Sequence, residues 1–357
     1  MDHQVRRRAL GARLDGLGVE AAVVTRLENV RYLTGFTGST AQVLVLPERA
    51  VFTTDGRYTE QSRLEVPDLE RVTSTSTFRS ALADQLAGAG VTRLGVESEH
   101  LTLAAHDRLR DALPGVELVP LEGIVEDLRR VKDDDERDLL RQAQAATDAA
   151  FDDVLELFAV GVSEQRIAWE LERLLRAEGA DGQAFDPIVA FGENAAEPHH
   201  HPSNRVLEEG DVITLDFGGL VGGYHADMTR TIAFGALNGE LRKIHDIVRE
   251  SQQAGVDAVR AGATGVEVDA ASRDVIAGTG YGERFVHPCG HGVGLEIHEA
   301  PWLGVAYDNE LPSGSIVTVE PGIYVPGLGG VRIEDMVEVV DDGGRVVGTS
   351  TRELIEL

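Results

Sequence analysis

The run DVITLDFGGLVGGYHADMTRTIAF (211–234) decides the fold. Its ends, DVITLDFGG and ADMTRTIAF, are rich in β-branched residues, and LVGGYH between them has the glycines of a turn, so the run reads as a β-hairpin. Asp216 and Asp227 stand on opposite arms. Side chains alternate along a strand, so both carboxylates can face one side of the sheet. A second pair of β-rich runs follows, SIVTVEPGIYV and GVRIEDMVEVV, carrying Glu320 and Glu334. Helices are expected ahead of each pair. One runs to about Phe158, and one starts at the N-cap Ser163 and buries Ile167, Leu171, Leu174 and Leu175. Two more are expected over 239–260 and 265–277. The pattern of helices and then paired strands bearing two carboxylates therefore occurs twice, which suggests one pseudo-symmetric domain whose two carboxylate pairs face each other.

His291, in CGHGVG, joins these four carboxylates as a fifth candidate ligand, in backbone that glycine allows to bend and approach closely. Two divalent cations would balance four carboxylates and a neutral imidazole. Without cations the same groups would crowd like charges, and some would take up protons. Oxygen-rich ligation with one imidazole suits Mn²⁺, and also Co²⁺ or Zn²⁺. Such a pair of metals makes a nucleophile from water near neutral pH. Each residue alone reads as well as a turn former or a surface acid; the joint arrangement carries the argument.

The first part of the chain alternates differently. A helix over 5–17, strands at 21–25, 40–46, 50–55 and 93–98, and helices over 57–64 and 101–113 suggest a small α/β layer domain. The stretch EDLRRVKDDDERD (126–138) reads as an exposed linker entering a charged first helical turn. Two domains are therefore expected, 1–125 and 126–357.

Composition sets outer bounds. The chain has 357 residues, 42% of them hydrophobic, and a net charge of −28. Such an acidic surface repels phosphates and anionic lipid, so neither nucleic acid nor membrane is an expected partner. The single cysteine, Cys289, rules out an intramolecular disulfide. It fits a reducing compartment, and a cytoplasmic location is expected. The opening MDHQVRRRAL is not followed by an apolar stretch of signal-peptide length, and no window reaches the ~18 apolar residues of a membrane helix.

The segments TLDFGG, ADMTRT, HPCGHGVGLEIHEAP, VEPGIYV and GVRIED together resemble the "pita-bread" metallopeptidases of the M24 type, and within them the Xaa-Pro peptidases, prolidases and aminopeptidases P. NVRYLTGFTGS and TTDGRYTEQ are similar to the creatinase-type N-terminal domain that precedes the peptidase domain there. The resemblance implies an α/β creatinase-like domain followed by an α+β pita-bread domain with a curved, largely antiparallel sheet. It implies a dinuclear-metal exopeptidase cutting the Xaa-Pro bond at a free N-terminus, with a metal-bridging hydroxide as nucleophile. Asp216 would bind one metal, Asp227 and Glu334 would bridge both, and His291 and Glu320 would complete the second metal's shell. Glu320 would also shuttle a proton to the leaving imino nitrogen. His298 would hydrogen-bond the substrate carbonyl or the oxyanion. His199 would lie near the substrate's second residue, although His200 and His201 are equally available by composition. His287 would line the proline pocket. Arg332 resembles an arginine that orients a ligand carboxylate, and Tyr324 matches a site tyrosine. Cys289 matches no ligand and reads as buried filler. A homodimer is expected from the resemblance alone.

A dipeptidase is favoured slightly over an aminopeptidase P. It would need a cation for the dipeptide carboxylate, an arginine from the N-terminal domain or from a partner subunit, for which Arg26, Arg31 and Arg57 are equal candidates. The N-terminal domain argues against a methionine aminopeptidase, the filled ligand positions argue against a metal-free amidinohydrolase, and intact His298 and Glu320 argue against a non-catalytic binding protein.

Overall fold

The computed structural model describes all of residues 1–357. The chain divides into two compact units, Met1–Arg129 and Arg130–Leu357.

The first unit is an α/β layer structure. Its strands are β1 (Ala21–Val24), β2 (Ala41–Val45), β3 (Ala50–Asp55), β4 (Glu70–Ser74), β5 (Arg93–Glu97) and β6 (Glu117–Leu121). They form one sheet in the order β4-β3-β2-β1-β5-β6. The β1–β5, β5–β6 and β3–β4 pairs are parallel, and β1–β2 and β2–β3 are antiparallel. Helices α1 (His3–Leu14), α2 (Leu27–Thr34), α3 (Thr59–Glu65), α4 (Phe78–Leu86), α5 (Leu103–Ala112) and α6 (Glu126–Arg129) complete the unit. The β-branched central strands are buried throughout and pack with Leu82, Leu86 and Leu109 of the helices. Of the three candidate arginines, Arg26 lies beside Glu126 and Glu28, Arg57 is paired with Asp55, and Arg31 makes no ion pair.

The second unit opens with α7 (Asp134–Leu155), whose N-terminus carries a capping box of Asp133 and Glu136. Helix α8 (Glu164–Ala177) is capped by Ser163 and buries Ile167, Leu171, Leu174 and Leu175 on one face. After the strands of the first half come α9 (Gly239–Ala258) and α10 (Gly265–Gly278), the latter with a capping box of Thr264 and Glu267.

Strands β7 (Gly182–Gln183), β8 (Ile188–Phe191), β9 (Val212–Phe217), β10 (Gly219–Val221), β11 (Tyr224–His225) and β12 (Met228–Ala233) belong to the first half. The second half holds β13 (Gly290–Gly292), β14 (Glu299–Leu303), β15 (Ile316–Val319), β16 (Gly322–Val325), β17 (Gly329–Arg332), β18 (Asp335–Val340), β19 (Gly343–Val346) and β20 (Ile355–Glu356). One sheet runs β20-β12-β9-β8 and another β14-β13-β15-β18-β19. Apart from the parallel β12–β20 contact, all pairings in this unit are antiparallel. The expected hairpin is present as β9 against β12, with Thr229 opposite Asp216. Its tip is longer than a simple turn, because β10 pairs with β11 on one side and with β7 on the other in a separate sheet. No helix is long and apolar enough to cross a membrane.

The stretch 126–138 is not an exposed linker. Residues 126–129 are helical, and Arg129, Lys132 and Glu136 are buried. Their charges are met inside each unit. Arg129 donates to Asn29, Lys132 contacts Glu299 at 3.0 Å, and Glu136 accepts from the Asp133 backbone. A run of charges looks solvated in a sequence until its buried partners are known.

Candidate metal centre

Asp216, Asp227, His291, Glu320 and Glu334 all line one cavity of about 240 Å³. Asp216 lies in β9 and Asp227 immediately precedes β12. Gly218 lets these arms close up, because a Cβ there would stand 1.8 Å from the carbonyl oxygen of Ala226. Gly290 does the same for His291, since its Cβ would meet the Thr318 carbonyl at 2.0 Å. Glu320 and Glu334 each sit where a β run breaks, one after β15 and one between β17 and β18.

Oxygen atoms of Asp227 and Glu334 and a ring nitrogen of His291 all lie within 4.8 Å of one another. His291 Nε2 is 3.6 Å from Asp227 and 3.3 Å from Glu320. Its Nδ1 lies 3.1 Å from the Gly292 carbonyl, which fixes the ring and turns Nε2 towards the acids. Thr229 donates to Glu334 at 2.7 Å, and Thr318 donates to Glu320 at 3.1 Å. Asp216 accepts from Arg332 at 2.6 Å through Oδ2, while its Oδ1 is buried without any hydrogen-bond partner.

Burial pushes the Asp227 carboxyl well above its ordinary range, and the neighbouring Asp216 adds to the shift. Glu334 is raised strongly by burial and by Asp227 and Glu320. Burial raises Asp216 too, against the opposing pull of Arg332. For His291, burial favours the neutral ring, but the hydrogen bond with Glu320 outweighs it and holds the imidazole up at about 9. Glu320 runs the other way: burial would raise it, but the hydrogen bond with His291 holds it down at about 2. An orphaned carboxylate oxygen, converging acids and an oriented imidazole are a donor set that divalent cations fit.

Four further side chains expected at the site are nearby. His298 and His287 line the cavity, with the His298 ring 4.4 Å from that of His291. His199 lines it as well, whereas His200 is buried and turned away, bonded to Glu164 and Glu197. Tyr324 stands behind the wall. Arg332 Nη1 donates to its hydroxyl at 2.8 Å, and the Tyr324 hydroxyl lies 2.8 Å from His287 Nε2. His287 Nδ1 faces the Pro288 carbonyl and so carries the proton, which makes Nε2 the acceptor from Tyr324. Burial lowers the pKa of His287, in keeping with a neutral ring.

Cys289 is fully buried and its thiol is pushed up to about 12 by burial, so it is unreactive. Sequence reading missed the apolar wall of Phe185, Ile188, Ile297 and Trp302. It also missed Arg230, which is buried between β12 and β18. Arg230 bonds Asp335 at 2.7 Å and the carbonyls of Thr229, Glu334, Ser350 and Thr351. Its only sequence signal was a cation amid β-branched neighbours.

A protein with this two-part architecture and this cluster of acids around one imidazole is a metal-dependent hydrolase. The chain belongs to metallopeptidase family M24, whose model matches residues 138–341, and the creatinase/prolidase N-terminal domain matches residues 6–131. It is 41% identical over 341 residues to the peptidase YqhT of Bacillus subtilis, covering 96% of this chain and 97% of that one. Among solved structures it is similar to an Xaa-Pro dipeptidase from Bacillus anthracis, with 42% identity, a TM-score of 0.97 and complete coverage of both chains. It is also similar to an X-Pro aminopeptidase from Thermotoga maritima, with 35% identity and a TM-score of 0.90, covering 97% of this chain and all of that one.

Proposed function

We propose that this chain cleaves the Xaa-Pro bond at the free N-terminus of proline-containing peptides, with Xaa-Pro dipeptides as preferred substrates. Asp216, Asp227, His291, Glu320 and Glu334 hold two divalent cations, Mn²⁺ by preference. When bound, the cations supply a nucleophile from water near neutral pH and polarise the scissile carbonyl. Glu320 takes a proton from the attacking water and returns it to the imino nitrogen of the leaving proline. His298, whose pKa is lowered by burial, donates a hydrogen bond to the oxygen that gains charge. His199 contacts the substrate's second residue. His287, buttressed by Tyr324 and Arg332, packs against the pyrrolidine ring. A bond to proline has no amide N–H, and none of these groups requires one. The enzyme works as a homodimer.

The observation that carries this reading is the convergence of Asp227, His291 and Glu334 beside an Asp216 oxygen that nothing in the protein satisfies. The similar Xaa-Pro dipeptidase from Bacillus anthracis supports the substrate class. Turnover of Ala-Pro and Ala-Pro-Ala by the Mn²⁺-loaded protein tests it. Faster cleavage of the dipeptide is expected. Faster cleavage of the tripeptide would favour the aminopeptidase reading, which the similar Thermotoga maritima enzyme supports.

A further inference from the structure

Nothing bonds the side chain of His199 directly, so its place at the cavity is inherited from the backbone that carries it. That backbone runs from β8 to β9 with only one short 3₁₀ turn, Gly192–Ala196, and so has few ladder bonds of its own. The hydrogen bonds that hold it converge on one side chain, Glu164, the first residue of α8, which is completely buried. Its Oε1 accepts from the Phe191 backbone at 2.8 Å and from Asn194 Nδ2 at 2.9 Å. Its Oε2 accepts from the Ser203 backbone at 2.9 Å, from Ser203 Oγ at 2.6 Å, and pairs with His200 Nε2 at 2.9 Å. The start of α8 adds two backbone bonds, with Glu164 N donating to Arg205 and Gln165 N donating to Ser203.

Three consecutive residues then divide the work. Pro198 offers its carbonyl to Arg332 at 3.4 Å, His199 faces the cavity, and His200 is drawn into the anchor. Both ring nitrogens of His200 face carboxylates, Glu164 and Glu197, so the ring is held as a double donor. Burial alone would raise the pKa of Glu164, but the bonds from Ser203, His200, Asn194 and Phe191 outweigh it and keep the carboxylate charged. A buried charge satisfied on both oxygens is rigid, because every departure leaves an unmet donor or acceptor.

We propose that Glu164 is the positioning residue for His199. It ties the 191–203 segment to α8 and thereby sets where that imidazole meets the substrate. The proposal rests on the Xaa-Pro peptidase reading, and the two fail separately.

The experiment is a double-mutant cycle on the Mn²⁺-loaded full chain, using Glu164→Gln, His199→Ala and the pair, with Ala-Pro as substrate. Amide hydrogen exchange over 192–204 is followed in parallel. Glu164→Gln alone is expected to lower kcat/KM about 10- to 100-fold with faster exchange in the segment. In the His199→Ala background the same change is expected to lower it less than about threefold, since the group it positions is already gone. Ser203→Ala removes one anchoring contact, leaves the buried charge in place, and serves if Glu164→Gln does not fold. It is expected to show a smaller loss with the same non-additivity. Losses that multiply independently, or exchange that does not change across 192–204, would overturn the proposal. Absence of Ala-Pro and Ala-Pro-Ala cleavage by the parent protein would instead refute the peptidase reading, and exchange alone would then decide the anchor.

Discussion

Replacing Arg230 should unfasten the metal-bearing strands from within, although Arg230 touches no substrate. The guanidinium lies 2.7 Å from Asp335, with 3% and 2% of the two side chains exposed. At that distance an effective dielectric of about 20 gives roughly 6 kcal/mol of gross attraction, which desolvation largely offsets. Removing one partner of a buried pair is harsher, at about 3–5 kcal/mol, because the other charge stays buried. Gln252 and Arg352 remain beside Asp335 and moderate the part of the loss that comes from its charge. Four backbone carbonyls also lose a donor, among them those of Thr229 and Glu334. Arg230→Met should therefore cost at least about 3–5 kcal/mol. For a unit of this size that is a fall of roughly 6–20 °C in Tm. Arg230→Lys keeps the charge but has three donors on one atom where the fork has five, so most of the loss should remain. Differential scanning calorimetry and Mn²⁺ titration of both variants test this, with weaker metal binding expected because Asp227 and Glu334 flank the clamped strands. Variants that melt within about 2 °C of the parent and bind Mn²⁺ equally well would refute the reasoning.

Three further outcomes follow from the same structure. His245 is buried in α9 and its pKa is lowered to about 4 by that burial. The folded chain therefore disfavours its protonated form. This stabilising contribution is complete above the unfolded value of about 6.5 and is lost as the pH falls towards 4, by up to about 3 kcal/mol. Urea unfolding should show the parent losing that much more stability than His245→Gln between pH 7 and pH 4, and parallel curves would contradict it. Gly218→Ala forces a Cβ to within 1.8 Å of the Ala226 carbonyl, so the arms bearing Asp216 and Asp227 must part. A loss of the order of 3 kcal/mol and less bound metal by elemental analysis are expected. His298→Gln should lower kcat on Ala-Pro roughly 10²- to 10³-fold with little change in KM, as for a group that acts mainly in the transition state. A rise in KM alone would assign it to ground-state binding.

Much of this was legible in the sequence because the ligands stand out chemically from their surroundings. Asp216, Asp227, Glu320 and Glu334 interrupt β-branched runs, and a charge in such a run needs a counter-ion. The helix start at Ser163 was legible because capping is local. What the sequence hid was long-range. Glu164, Lys132 and Arg230 resemble surface residues until their partners, distant in sequence, are placed beside them. His199 and His200 have identical chemistry, and only the backbone turn between cavity and anchor tells them apart. Trp302, far from the ligands in hydropathy pattern, reaches the cavity through the β13–β14 pairing opposite His291.

The most direct test of the central claim is to strip the protein of divalent ions, reload it with Mn²⁺, and measure bound metal per chain together with Ala-Pro hydrolysis. Stripped protein should be inactive, and activity should return as the sites fill, reaching its maximum at two ions per chain. In Asp227→Asn and Glu334→Gln, both occupancy and turnover should collapse. Full turnover by the stripped protein, or undiminished occupancy in those variants, would contradict the account.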